Sequence, residues 1–129
     1  MNYYFSKLIK ATFDEAENRI RAELKNIGFG ILTEIDVQET LKNKIGEDFR
    51  KYKILGACNP NFAFNALKVE DKIGVLLPCS VIIQETQNPE QIEIAVMNPI
   101  PAIKTIGNTD LEKFAVEIAD KLESAINQL

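Results

Sequence analysis

Cys58 and Cys79 are the side chains of this 129-residue sequence best suited to chemistry, through their thiols. Cys58 is followed at once by Asn59-Pro60. Asparagine is a preferred helix N-cap, and proline at a first helical position gives up no hydrogen bond it would have made. Cys58 therefore stands just before an expected helix start, where the dipole and free amides lower a thiol pKa and favour the thiolate. Cys79 follows Pro78 at the head of an apolar run. Such a pair suits redox or sulfur-transfer chemistry. The competing reading is that cysteine is among the most buried residues and packs as a small hydrophobe. Burial is the commoner outcome, and spacing alone leaves open whether the two thiols meet.

The other constellations divide in the same way. Amides at Asn59-Pro60-Asn61 could face a small anion or carboxylate, although plain capping is more frequent. Phe62 and Phe64, with Met97, could line an apolar pocket, although such residues are more often core. Glu34 and Asp36 on one strand, and Glu85 and Glu93 flanking a hairpin, read as solvated carboxylates. Gly28-Phe29-Gly30 follows a helix, the wrong context for a phosphate-cradling loop.

Composition excludes more than it suggests. The chain has no histidine, so a serine triad, a Cys-His dyad, a histidine base and a histidine metal site are all ruled out. Two cysteines do not close a tetrahedral zinc site, so neither metal nor cofactor is expected. A net charge of −4, with no basic run longer than Arg50-Lys51, argues against nucleic acid and anionic membrane as partners. The opening MNYYFSKLIK lacks the apolar core of a signal peptide, and no stretch approaches a membrane span. A cytoplasmic location with free thiols is the expectation.

The elements that must position these residues follow from periodicity and caps. NYYFSKLIK predicts a first strand over about residues 2–10. Thr12-Phe13-Asp14-Glu15 is a capping box, followed by Phe13, Ala16, Ile20, Leu24 and Ile27 at helical spacing, with Gly28 as the stop. Phe29, Ile31, Thr33, Ile35 and Val37 alternate with Leu32, Glu34 and Asp36, which predicts a strand with one wet face. A short rim helix ends at Gly46. ILGAC predicts a buried strand, and Pro60 to Val69 a helix with Phe62, Ala63, Ala66 and Leu67 on one face. VLLPCSVII returns to strand, and SVIIQET and QIEIAVMN form a hairpin around Asn88-Pro89-Glu90. Pro99 and Pro101 end regular pairing. Thr109-Asp110-Leu111-Glu112 reads as a second capping box before a strongly amphipathic last helix.

The order is β-α-β-(α)-β-α-β-β-α in one domain, residues 1–129. Short returns favour a two-layer α+β fold, a mostly antiparallel sheet with helices on one face. The other face then needs cover, which implies a homodimer, a protein partner or a ligand.

Y-x-I-L-G-A-C-N-P from Tyr52 to Pro60, I-G-x-L-L-P-C-x-V from Ile73 to Val81 and M-N-P from Met97 to Pro99 carry a resemblance across nearly the whole chain. In these motifs the sequence resembles the uncharacterised bacterial and archaeal family called domain of unknown function 302. The resemblance implies a small α+β fold that tends to dimerise, with no established reaction. Matching positions are Gly56, Asn59, Pro60, Leu77, Pro78, Cys79, Asn98 and Pro99. The expected ligand-binding region is thus Gly56, Cys58, Asn59, Pro60, Phe62, Pro78, Cys79 and Asn98. The leading expectation is a non-enzymatic dimerising domain that binds a small ligand or protein partner there. The alternative is a thiol-dependent redox or sulfur-transfer protein using Cys58 and Cys79.

Overall fold

A computed structural model describes residues 1–129. In chain order the elements are β1 (Tyr4–Lys10), α1 (Phe13–Asn26), β2 (Gly30–Asp36), α2 (Val37–Ile45), β3 (Tyr52–Cys58), α3 (Pro60–Val69), a 3-10 turn (Asp71–Leu76), β4 (Cys79–Glu85), β5 (Gln91–Met97), α4 (Pro99–Lys104) and α5 (Thr109–Asn127). The five strands form one sheet in the order β1-β5-β4-β3-β2, and every neighbouring pair is antiparallel. This is the expected α+β architecture.

Local chemistry explains the long helices. In the Thr12 box, the Thr12 hydroxyl accepts from the Glu15 amide at 3.1 Å and the Glu15 carboxylate accepts from the Thr12 amide at 3.2 Å. Two of the donors orphaned at a helix start are thereby satisfied. Ile20 and Leu24 of α1 and Leu111 and Leu122 of α5 are fully buried, packed over Val81 and Ile83 of β4 and Ile94 and Val96 of β5. Each such aliphatic side chain is worth about 1.5–3 kcal/mol in burial. One face of the sheet is therefore dry, while its opposite face carries no helix from α1 or α5.

Four details differ from the sequence expectation. The cap of α5 is Asn108, whose Oδ1 accepts from the Asp110 and Leu111 amides, so Thr109 is the first helical residue and not the cap. Asparagine caps at least as well as threonine and comes one residue earlier. Residues 99–104 form the short helix α4, because a proline at the first helical position opens a helix as readily as it ends a strand. β4 begins only at Cys79, since Val75 and Leu76 belong to the 3-10 turn; Val75 is exposed. The alternation in β2 slips at a bulge between Ile31 and Thr33. Ile31, opposite Ala57, faces the helices, whereas Thr33, opposite Gly56, faces away.

That slip also turns Glu34 to the helix side. There Glu34 and Glu17 of α1 share Lys53 at 2.7 and 2.9 Å, and Arg21 reaches them at 3.0 and 2.8 Å. Glu34 is thus an ion-pair member and not a freely solvated acid. Its hydrogen bond from Lys53 is the main cause holding its carboxyl below the ordinary 4.5. The same bond, followed by that to Glu17, holds the Lys53 ammonium above 10.5. A depressed acid contributes stability above its unfolded pKa and loses it as pH falls through the folded value. A raised base contributes below its unfolded pKa and loses it as pH rises through the folded value. The network should therefore give a stability plateau between about pH 5 and pH 10. With Glu34 partly exposed, Glu34→Gln should cost at most about 1 kcal/mol on that plateau. The cost should vanish as acid protonates Glu34 in both states, which melting curves against pH would show.

Candidate functional site

Antiparallel pairing gathers the sequence motifs at one end of the sheet. β3 finishes there at Cys58, β4 starts there at Cys79, and β5 runs out there into Asn98. Ala57 pairs with Cys79, and Cys58 pairs with Gly30. The N-termini of α3 and α4 lie at the same end, each opened by an Asn-Pro pair.

Most of these residues are committed to structure. Asn59 Oδ1 accepts from the Phe62 amide at 3.2 Å. Pro60 occupies the first helical position, and Phe62 lies in the core with its ring edge-on to Phe114 at 6.0 Å. Asn98 is buried and fully bonded. Its Nδ2 donates to the Asn2 carbonyl at 3.0 Å, its Oδ1 accepts from the Ile100 amide at 3.1 Å, and its backbone amide donates to the Tyr3 carbonyl at 2.8 Å. Asn98 thereby fastens the segment before β1 to the end of β5. Gly56 is covered by Thr33 and the Pro78 ring, and the Leu77-Pro78 peptide is cis.

The thiols differ from one another. Cys79 lies on the helix side, 3% exposed, and burial pushes its thiol up to about 11, with the neighbouring Cys58 adding to the rise. Cys58 is half-buried and one residue further along its strand than Ala57, so strand alternation turns it toward the other face. Both are free. From an ordinary 9.0 to about 11 is a difference of 2, so Cys79 holds about 100-fold less thiolate than a free thiol at neutral pH. Alkylation of native protein, followed by mass spectrometry, should label Cys58 and leave Cys79 untouched until denaturant is added.

The feature that sequence reasoning missed lies on the uncovered sheet face. Ile82, Ala95 and Met97 floor a groove of about 490 Å³ that runs along β4 and β5. Tyr3 and Tyr4 stand at the end near Ser80, and Tyr52 at the end near Gln84 and Glu93. At that second end a polar chain crosses the strands. Arg50 Nε donates to Gln84 Oε1 at 2.9 Å, and Gln84 Nε2 donates to Glu93 Oε1 at 2.7 Å. Arg50 also covers the Phe49 ring at 4.3 Å. Met97 thus lines a groove, but without Phe62, which is core, or Phe64, which is exposed on α3. The available signal was the second parity of the hairpin, Ser80-Ile82-Gln84 against Glu93-Ala95-Met97. No group of three or more Cys, Asp or Glu side chains is arranged to hold a metal, and no helix is long and apolar enough to cross a membrane.

Five antiparallel strands, with α1, α3, α4 and α5 packed into the core on one face and a groove on the other, define a two-layer α+β domain with an open sheet. The chain belongs to the family described as domain of unknown function DUF302, whose model matches residues 5–129. In fold it is similar to the crystal structure of an uncharacterized conserved DUF302 protein from Bacillus stearothermophilus. That similarity has a TM-score of 0.90 at 23% identity and covers 98% of both chains. No curated protein matches the chain.

Proposed function

We propose that this domain is a non-enzymatic binding module that acts as a homodimer, joining two copies through the open sheet faces. Its small ligand or protein partner is held beside the sheet end built from Cys58–Pro60 and Leu77–Cys79, where the groove begins at Ser80 and Met97. The observation that carries this reading is the row of apolar side chains that crosses a face left uncovered by the core helices. Leu8 is 53% exposed and Ile35 is 48% exposed at its two flanks, with Ile54, Ile82 and Ala95 between them. Five strands spaced about 4.8 Å apart and about 20 Å long span roughly 500 Å² in plane, and more in accessible area. That approaches the roughly 800 Å² per partner of a standard interface. Large exposed apolar patches on a small acidic domain mark such association surfaces.

The absence of histidine and the commitment of Asn59 and Asn98 to backbone capping both favour binding over catalysis. The thiol alternative is weaker, because Cys79 is buried with a raised pKa on the opposite side of the sheet from Cys58. Sedimentation equilibrium at micromolar concentration tests the proposal. A mass near twice 14.5 kDa is expected. A monomer across the micromolar range would remove it.

A further inference from the structure

We infer that the groove of the open face is a site for a small amphiphilic amine, with its apolar body on Ile82, Ala95 and Met97 and its ammonium on Glu93. The inference rests on the binding role proposed above, because a second copy facing the sheet would roof the groove. Three observations support it.

The first is size. A groove of about 490 Å³ falls within the range of sites that enclose small organic molecules. The second is the state of the Glu93 carboxylate. Arg50 fixes the orientation of the Gln84 amide by donating to its oxygen, so the amide nitrogen must face Glu93. Glu93 Oε1 is thereby satisfied by a neutral donor, while Oε2 has no protein hydrogen bond and Glu93 joins no ion pair. Arg50 donates to the intervening Gln84 and lies over the Phe49 and Tyr52 rings without pairing with Glu93. Lys10, on the edge strand, forms no ion pair with Glu93 either. Among the acids, Glu17 and Glu34 share cations inside the protein; the groove acid has none.

The third is the surround of the carboxylate. Tyr3 and Tyr4 close the far end near Ser80, and the Tyr52 ring at the Glu93 end already carries the Arg50 guanidinium at 5.6 Å, so Glu93 and not a ring face is left to take a cation in the groove. Roofing the groove by a partner would desolvate Glu93, and a carboxylate leaving water needs an opposite charge or a strong donor. An ammonium supplies both. A carboxylate ligand would meet Glu93 as a like charge, and a neutral hydrocarbon would leave its oxygen unpaired.

The test uses two probes of the same aromatic body, 1-naphthylmethylamine and 1-naphthylacetate, titrated calorimetrically into the full chain and into Glu93→Gln. Wild type should bind the amine at least about 10-fold more tightly than the acid, as expected for a charge-assisted contact. Glu93→Gln, which keeps a partner for Gln84, should bring the two probes level. Ala95→Phe, which fills the groove and leaves the charge, should weaken the amine by a similar factor. Equal affinities in wild type, a preference that survives Glu93→Gln, or no binding of either probe at millimolar concentration would each overturn the inference. Sedimentation of the same samples separates the two readings. A dimer without amine preference removes the amine site and leaves the dimer, whereas a monomer that prefers the amine does the reverse.

Discussion

Gly56→Ala should lower stability by about 3 kcal/mol, an overpacking cost at the upper end of the usual range. A β-carbon at this position would stand 2.6 Å from Pro78 Cγ and closer still to Thr33 Oγ1. Neither neighbour yields easily. The Pro78 ring is rigid, and Thr33 is a β-branched residue on a paired strand. The backbone is not the reason for glycine here, because the positive-φ glycines are Gly28, Gly46 and Gly107. The requirement is steric: the chain crosses under Thr33 and Pro78 with no room for a methyl group. For a domain of this size the melting temperature should fall by about 10 °C. Thr33→Ala alone should be nearly neutral, since Thr33 is exposed, yet it should recover part of the loss in the double variant. A Gly56→Ala protein that melts within about 2 °C of wild type would show that the Pro78 segment moves aside freely.

Much of this fold was legible because its determinants are local. Thr12 and Glu15 specify the start of α1 within four residues, and Gly46 supplies the αL stop of α2. The hairpin of β4 and β5 is written in two alternating runs and a polar turn. What was not legible depends on partners distant in sequence. The bulge at Ile31–Thr33 is invisible in a run that alternates without interruption, because only the pairing with Ala57 and Gly56 exposes the extra residue. Asn108 was overlooked for a simple reason, namely that two good caps stand side by side and the hydrogen bonds choose the first.

The site followed the same division. Sequence motifs picked out the sheet end at Cys58, Cys79 and Asn98, and topology does bring them together. Their side chains then serve capping, core and clamping, which spacing cannot reveal. The groove was missed because β3 is apolar on both parities and β4 carries Ile82 alone between Ser80 and Gln84 on its outer parity. Ile54 and Ile82 read like residues of a strand covered on both sides, as in a doubly covered sheet. The core helices cover one side only, and the apolar side chains of the other parity form the face proposed to meet a partner.

That assignment makes Ile82→Glu the most telling substitution. Ile82 is half-buried at the centre of the face, opposite Ile54 on one strand and Ala95 on the other. In a single chain a glutamate there can extend into water, so folding should lose only about 0.5–1 kcal/mol, including repulsion from Glu93 across the hairpin. In the proposed dimer the same carboxylate is buried beside the unpaired Glu93, where a lysine would instead gain a counter-charge, and two-fold symmetry places two of them in one interface. At about 2–3 kcal/mol for each, the dissociation constant should rise by about 10³-fold or more. Sedimentation should then show a monomer whose melting curve, taken at a concentration where wild type is also dissociated, is little changed. An Ile82→Glu protein that remains dimeric would place the contact elsewhere, because no packed two-fold interface over this face could bury two added like charges at its centre.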